Sequence, residues 1–240
     1  MSGSPDRRRD YLDDLLEQTT PGYTRLRNSY KRALSQRNAL LKHHASSAET
    51  QLFAWNIRLS ELGGQIAQAR HELISDLAKQ LSPIYAKLAG KKLNLDLSYA
   101  GSCPIPGYGS HMLKQLEINT HQDFSKGFTS HGPHRDDMQL LIDGRSAIEV
   151  ASRGEIRTTV LCLKIIELGI LETVRGQKPL LLLDDVFSEL DGKRRQSLTK
   201  FLTGHQTFIT TTDADVVVQH FMNNCTIIPI STPSATRAKS

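Results

Sequence analysis

The sequence predicts an α/β protein, a mixed sheet with flanking helices, joined to a lobe built from a long helical hairpin. Three observations carry this. Residues 180–183 are four consecutive leucines, the pattern of a strand buried on both faces in a parallel sheet, and Asp184 and Asp185 follow at once. Two long amphipathic stretches, 23–44 and 49–81, are separated by Ala45-Ser46-Ser47-Ala48, which gives an antiparallel pair of helices. A third helical run, 156–174, is entered through the small-residue turn Ala151-Ser152-Arg153-Gly154-Glu155. With 240 residues, 38% of them hydrophobic, the chain can bury the core of one large domain or two small ones.

The elements follow in order. Residues 7–18 fit a short helix with Tyr11, Leu12, Leu15 and Leu16 as its apolar positions, and Thr19-Thr20-Pro21-Gly22 breaks it. The helix over 23–44 places Tyr23, Leu26, Tyr30, Ala33 and Leu34 near helical spacing and also carries Arg25, Arg27, Lys31, Arg32, Arg37 and Lys42. A solvated face accounts for most of these charges. The sharper reading is a face that follows a phosphate backbone, with Arg25, Arg27, Lys31 and Arg32 as its contacts. The next helix has the stripe Leu52, Trp55, Leu59, Leu62, Ile66, Ala69, Leu73 and Leu77, on which Trp55 reads as core rather than as a platform for bases. Ser82-Pro83 is expected to close that run before a further turn ended by Gly90.

Residues 93–99 alternate and read as a half-buried strand, 101–110 as a Gly/Pro-rich loop and 111–125 as helix. His131 and His134 lack a cysteine or third histidine, so a metal site is not expected, and for Gly132-Pro133-His134-Arg135-Asp136-Asp137 a buried Arg–Asp brace is preferred to catalysis. Residues 138–142 and 146–150 flank Asp143-Gly144 as a hairpin. A strand over 206–210, a helix over 213–220, a last strand over 226–230 and a polar, disordered tail complete the chain. The implied domains are a helical lobe over 1–92, a head portion over 93–231 and the tail 232–240.

The net charge of +5 favours an acidic partner, with nucleic acid the obvious class. Cys103, Cys162 and Cys225 lie too far apart for a zinc site or a disulfide framework, which points to a reducing cytosol. No apolar run has the length of a membrane span, and the start is polar and basic. No Gly-x-x-x-x-Gly-Lys-Ser/Thr occurs: Gly63-Gly64 and Gly107-Tyr108-Gly109 both lack the lysine.

Ligands of open α/β sheets sit at the carboxyl ends of the strands, where Asp184 and Asp185 are placed. Such a pair can hold a hydrated Mg2+ and polarise a water. A core strand leaving through an acidic turn explains the stretch alone equally well. The neighbours add weight. A phosphate-type turn at 151–155, a helix, an apolar strand, two acids and then Ser188-Glu189-Leu190-Asp191 resemble, in that order, the signature, Walker B and D-loop of an ABC-type ATPase head. The wording is most similar to the RecF family of bacterial recombination and repair proteins, related to the SMC and Rad50 heads. Ser4-Pro5-Asp6-Arg7-Arg8-Arg9-Asp10-Tyr11-Leu12-Asp13, Gly132 to Asp137 and Thr210-Thr211-Thr212-Asp213 match it too, so the resemblance covers nearly the whole chain in family order.

The resemblance implies a partial ABC-type head with a helical lobe II, and ATP and Mg2+ as cofactors. Asp184 would hold Mg2+ through water, and Asp185 would orient or deprotonate the attacking water. Ser152, Arg153, Gly154 and Glu155 would face the γ-phosphate of nucleotide held on a second subunit. Glu155 departs from the commoner glutamine, and the same segment also fits a plain capping box, a compatible reading. Ser188 and Asp191 would form the D-loop at the dimer seam, with Thr211 and Thr212 where related ATPases place a switch histidine. The implied partners are duplex and gapped DNA, RecO and RecR, and a second copy bound through ATP, with no membrane, in the bacterial cytoplasm at the nucleoid. In that family the P-loop precedes the Ser-Pro-x-x-Arg-Arg segment, on which Met1 almost falls. The chain therefore reads as the carboxy-terminal two thirds, expected to hold ATP poorly alone. The competing readings are a non-catalytic scaffold that binds DNA or a partner, and a head from another SMC or Rad50 branch, disfavoured by the short hairpin arm.

Overall fold

The computed structural model describes residues 3–42, 48–188, 190–212, 226–228 and 230. The chain divides into two compact units, residues 1–179 and 180–240. The first unit continues past residue 92 because its longest helix packs along strands and helices that follow it in sequence.

That helix, α3 (Ala48–Ala89), is the spine of the first unit. Before it stand α1 (Pro5–Thr19) and α2 (Tyr23–Lys42), and after it come β1 (Leu95–Ala100), α4 (Tyr108–Ile118) and α5 (Thr120–Lys126). The α2–α3 pair is the hairpin that the apolar stripes predict, and Trp55 packs against the core as expected. Leu59, Leu62, Ile66 and Ala67 of α3 meet Tyr30 and Ala33 of α2 and Met112 and Leu116 of α4. Gly63 and Gly64 have a packing role here. A Cβ on Gly63 would stand 2.7 Å from Met112 Sδ, and one on Gly64 would stand 3.2 Å from the Gly109 amide nitrogen. The two helix backbones meet at these glycines.

The break expected at Ser82-Pro83 does not occur, and α3 runs through Pro83 to Ala89. Proline costs an interior helix about 3 kcal/mol. Leu81, Tyr85 and Leu88 are each fully buried beyond or beside it, and burying one such side chain returns about 1.5–3 kcal/mol. Ser82 also ties the helix to β1: its Oγ accepts from the Leu95 amide at 2.8 Å and donates to carbonyl oxygens of Leu93 and Leu95.

Strand β1 pairs antiparallel with β2 (Asp137–Ile142), from Leu95↔Ile142 to Ala100↔Asp137. β2 turns through Asp143 (φ 49°) and Gly144 (φ 76°) into β3 (Arg145–Ser146). Two successive positive φ values match the tight hairpin turn that Asp-Gly favours. The second arm is shorter than expected: after two residues it becomes the single turn α6 (Ala147–Val150), which leads to α7 (Arg153–Arg175).

Buried polar networks fasten these elements. Arg37, with no exposed surface, donates to Asp123 Oδ2 at 2.7 Å, Asn56 Oδ1 at 2.7 Å and Thr129 Oγ1 at 2.8 Å. Arg70 grips both oxygens of Asp13 and donates to the Pro133 carbonyl at 2.6 Å. The Gly132–Asp137 motif is the brace the sequence predicts. Asp136 accepts from Tyr99 Oη, Tyr108 Oη and the Ser102 amide, while Asp137 takes two bonds from Arg8. His134 lies between Tyr30 Oη at 2.7 Å and the Thr129 carbonyl at 3.1 Å, and burial pushes its pKa down to about 4. It is therefore neutral at physiological pH, with Nε2–H donating to the carbonyl and Nδ1 accepting from the tyrosine. Among the described residues no cluster of three or more potential metal ligands exists.

In the second unit β4 (Leu181–Asp184) runs parallel to β5 (Thr207–Thr210), with α8 (Gly192–Leu202) between them in sequence. Among the described residues of this unit Phe187, Leu190, Leu198 and Leu202 are the buried hydrophobic side chains. The four-leucine strand is not buried on both faces: Leu182 is 75% exposed and its cross-strand partner Phe208 51%. Parallel strands normally need cover on both sides, and among the described residues β4 has only β5 beside it, so the alternate side chains face water. Residues 226–228 and 230 are not strand, contrary to expectation. The expected helix over 213–220, the tail and Cys225 lie outside the described residues.

Candidate functional site

The turn at 151–155 belongs to the first unit. Ser152 has extended backbone (φ −70°, ψ 158°) and caps α7, its Oγ accepting from the Glu155 amide at 3.2 Å. Glu155 Oε2 in return accepts from the Ser152 amide and hydroxyl, each at 2.9 Å. This is the capping box that the sequence allows, and it orients the first turn of a long helix whose start carries positive potential. Lys91 reaches the same carboxylate, Nζ to Oε1 at 2.8 Å. That bond, with those from Ser152, holds the Glu155 pKa down at about 2. Ser152, Arg153 and Gly154 are exposed, and a Cβ on Gly154 would meet nothing within 4 Å. The glycine is not required by packing among the described residues; it leaves the backbone of the turn open to approach. The amide and hydroxyl donors of Ser152 are already taken by Glu155.

The acid pair belongs to the second unit. Asp184 is the last residue of β4 and stands opposite Thr210, the last residue of β5. Thr210 Oγ1 donates to Asp184 Oδ1 and accepts from the Asp185 amide at 3.2 Å, while its carbonyl accepts from the same amide at 3.1 Å. Asp185 adopts φ 47°, an uncommon left-handed conformation for a residue other than glycine, which turns the chain sharply off the strand. Ser188 Oγ lies 2.8 Å from both the Asp185 carbonyl and Oδ2. Asp185 Oδ1 is buried and has no hydrogen-bond partner among the described residues. Asp191 caps α8, accepting from the Arg194 amide at 2.9 Å, and pairs with the Arg194 guanidinium.

The second unit thus brings Asp184, Asp185 and Ser188 together at one strand end, and Thr211 and Thr212 leave β5 at the same end. A hydrated divalent cation fits this donor set. Asp184 offers an exposed carboxylate, and the buried Asp185 Oδ1, without a hydrogen-bond partner among the described residues, leaves an acceptor that a metal-bound water could fill. Thr210 was not among the sequence candidates; its signal is the strand register, which makes it the partner of Asp184. Lys91 had no signal in its own neighbourhood.

On α2, Arg25, Lys31 and Arg32 are exposed, as a DNA contact requires. Arg27 is not available in this way. It turns onto Asp10, Asp13, Asp14 and Glu17, at 2.9–3.6 Å, and only 14% of its side chain is exposed. Four carboxylates around one guanidinium give it a bracing role between α1 and α2.

No family model matches the chain. Curated relatives do. The chain is 35% identical over 241 residues to the DNA replication and repair protein RecF of Acaryochloris marina, covering 96% of this chain and 64% of the relative. It is 36% identical over 220 residues to the RecF of Heliobacterium modesticaldum, covering 88% and 59%. A solved structure of the recombination mediator protein RecF-ATP in the RecFOR pathway superposes with a TM-score of 0.80 at 33% identity, covering 89% of this chain and 59% of that one. The chain is a homologue of RecF over most of its length. It spans 59–64% of the length of these RecF relatives. A second structure, RecF-ATPrS, matches with a TM-score of 0.78. The RecF likeness and the observed elements agree on a partial ABC-type head carrying a helical lobe. Among the described residues no helix is long and apolar enough to cross a membrane.

Proposed function

We propose that this RecF-like chain supplies the signature, Walker B and D-loop parts of an ATP-dependent, dimeric DNA clamp. The clamp acts at duplex DNA beside single-strand gaps and helps RecO and RecR load recombinase. The observation that carries the reading is the strand end where Asp184 and Asp185 meet Thr210, with one Asp185 oxygen buried and without a hydrogen-bond partner among the described residues. The relatives' names give DNA replication and repair as the setting, and the RecF-ATP structure supports ATP as the nucleotide.

Mg2+ bound with ATP would polarise the γ-phosphate and offset the charge that develops on the leaving ADP. Asp184, fixed by Thr210, would hold the hydrated metal. Asp185 would accept a hydrogen bond from the attacking water and take its proton as the new bond to the γ-phosphorus forms and the bond to the β–γ bridging oxygen breaks, releasing ADP and phosphate. Aspartate is shorter than the glutamate of most ABC heads, which favours slow turnover and a switch over a motor. The turn at Ser152 meets the γ-phosphate of nucleotide on a second subunit, and Ser188 and Asp191 lie along the seam. The sequence holds no P-loop, so the phosphate cradle comes from polypeptide outside these 240 residues.

The test is complementation. Purified chain is mixed with labelled ATP, with and without a supplied P-loop fragment of a RecF relative. Hydrolysis restored only by the fragment, and lost in Asp185→Asn, supports the ATPase reading. DNA binding indifferent to both the fragment and nucleotide would instead favour a non-catalytic scaffold.

A further inference from the structure

The Ser152 turn is already filled by an anion, and that anion is the protein's own. Glu155 Oε2 accepts from the Ser152 amide and from its hydroxyl, each at 2.9 Å, while Oε1 faces Lys91 Nζ at 2.8 Å. One carboxylate thus sits among donors drawn from the start of α7 and from the loop after α3. Those same bonds hold its pKa at about 2, so it is ionised at physiological pH. The cluster is open to water: the Glu155 side chain keeps 20% of its surface exposed and Lys91 52%.

The backbone beneath this carboxylate is fixed. Thr158 and Thr159, both buried, donate through their hydroxyls to the Gly154 carbonyl at 2.7 Å and the Glu155 carbonyl at 2.8 Å. These bonds tie the first turn of α7 to its buried second turn. The Glu155 side chain, by contrast, is long and flexible and is anchored at its tip by exchangeable polar contacts. Rotation of that side chain carries the carboxylate off Ser152 without moving the helix. Gly154 leaves the approach to the turn clear, since a Cβ there would meet nothing within 4 Å.

We propose that Glu155 is a latch on this turn: held by Lys91, it withholds the Ser152 donors until a phosphate of higher charge displaces it. The inference rests on the proposed placement of a γ-phosphate at the turn and adds the regulation of that same site. Two anions cannot share one set of donors, so engagement is an exchange. A terminal phosphate brings about two negative charges against one for the carboxylate. Lys91 and the exposed Arg153 favour the more highly charged of the two. A partner without nucleotide offers no anion to exchange, and the latch stays shut. In this role Glu155 competes with the γ-phosphate instead of contacting it. A glutamine could cap the helix through its side-chain oxygen as well, but it would bring no charge to repel the phosphate.

The test is NMR of the full, isotopically labelled chain titrated with inorganic tripolyphosphate at neutral pH and constant ionic strength. The Ser152 backbone amide reports occupation of the turn, and the Glu155 side-chain carboxyl carbon reports release of the latch. In the parent chain the two signals should move together, the carboxyl shifting towards that of a free glutamate. Glu155→Gln is expected to tighten the affinity read at Ser152 about tenfold, because the competing charge is gone. A melting curve matched to the parent shows that the variant is folded; if it is not, the paired signals of the parent chain decide alone. Equal affinity in parent and variant, or saturation at Ser152 with an unmoved Glu155 carboxyl, overturns the latch and leaves the proposed function standing. No response of Ser152 in either protein overturns the latch together with the placement of a phosphate at this turn. The ATPase complementation reads the Asp184–Asp185 strand end separately.

Discussion

Lys91 Nζ stands 2.8 Å from Glu155 Oε1 across 64 residues of sequence. The contact joins the loop after the spine helix to the first turn of α7 and fixes the carboxylate that occupies the Ser152 donors. Because the folded pKa of Glu155, about 2, lies below its ordinary 4.5, the interaction stabilises the fold above about pH 4.5. That contribution is lost as pH falls from there towards 2. Lys91→Ala is expected to raise the Glu155 pKa towards its ordinary value. An NMR titration of the glutamate side-chain carboxyls checks this, and an unmoved titration would show that Ser152 alone sets the shift.

Arg37 and Asp123 are both fully buried, and each is the other's charge partner. Burial lowers the Arg37 pKa, and the hydrogen bond and charge of Asp123 oppose that shift. Arg37→Met removes one charge and leaves Asp123 stranded. A loss of about 3–5 kcal/mol in urea unfolding is expected, far above the change from Arg25→Ala on the same helix.

Gly132 has φ 133°, and a Cβ there would fall 2.6 Å from Tyr30 Oη and 2.7 Å from Met112 Cε. Gly132→Ala combines backbone strain with a forced shift in the core. A loss of about 2–4 kcal/mol is expected by thermal or urea melting, with the His134–Tyr30 hydrogen bond disturbed. A variant as stable as the parent would mean that Tyr30 and Met112 yield freely.

Thr210 holds both members of the acid pair, through its hydroxyl to Asp184 and through its carbonyl and hydroxyl to the Asp185 amide. Thr210→Val keeps the strand shape and removes the hydroxyl. The site is exposed, so the stability cost should stay near 1 kcal/mol. Hydrolysis in the complemented assembly is expected to fall by about tenfold or more, with nucleotide binding kept, and Thr210→Ser should restore it.

The long helices, the strand at 95–100, the tight turn at Asp143-Gly144 and the capping box at Ser152 were legible because each rests on local pattern. Periodicity fixes a helix face, and two adjacent turn residues fix a hairpin. What escaped was set by tertiary packing. Pro83 stays inside α3 because its surroundings are buried. Arg27 looks like its exposed neighbours until α1 folds its carboxylates around it. Four leucines announce a covered strand, but cover comes from other elements, and the local run cannot supply it. The acid pair was placed correctly at a strand end, whereas the roles of Thr210 and Lys91 depend on residues distant in sequence.

The water-facing Leu182–Phe208 pair makes the β4–β5 ribbon a ready seed for self-association. Residues 180–240 produced in isolation should show turbidity that grows with concentration. Leu182→Lys, which sets a charge on the same strand position, should keep such preparations clear.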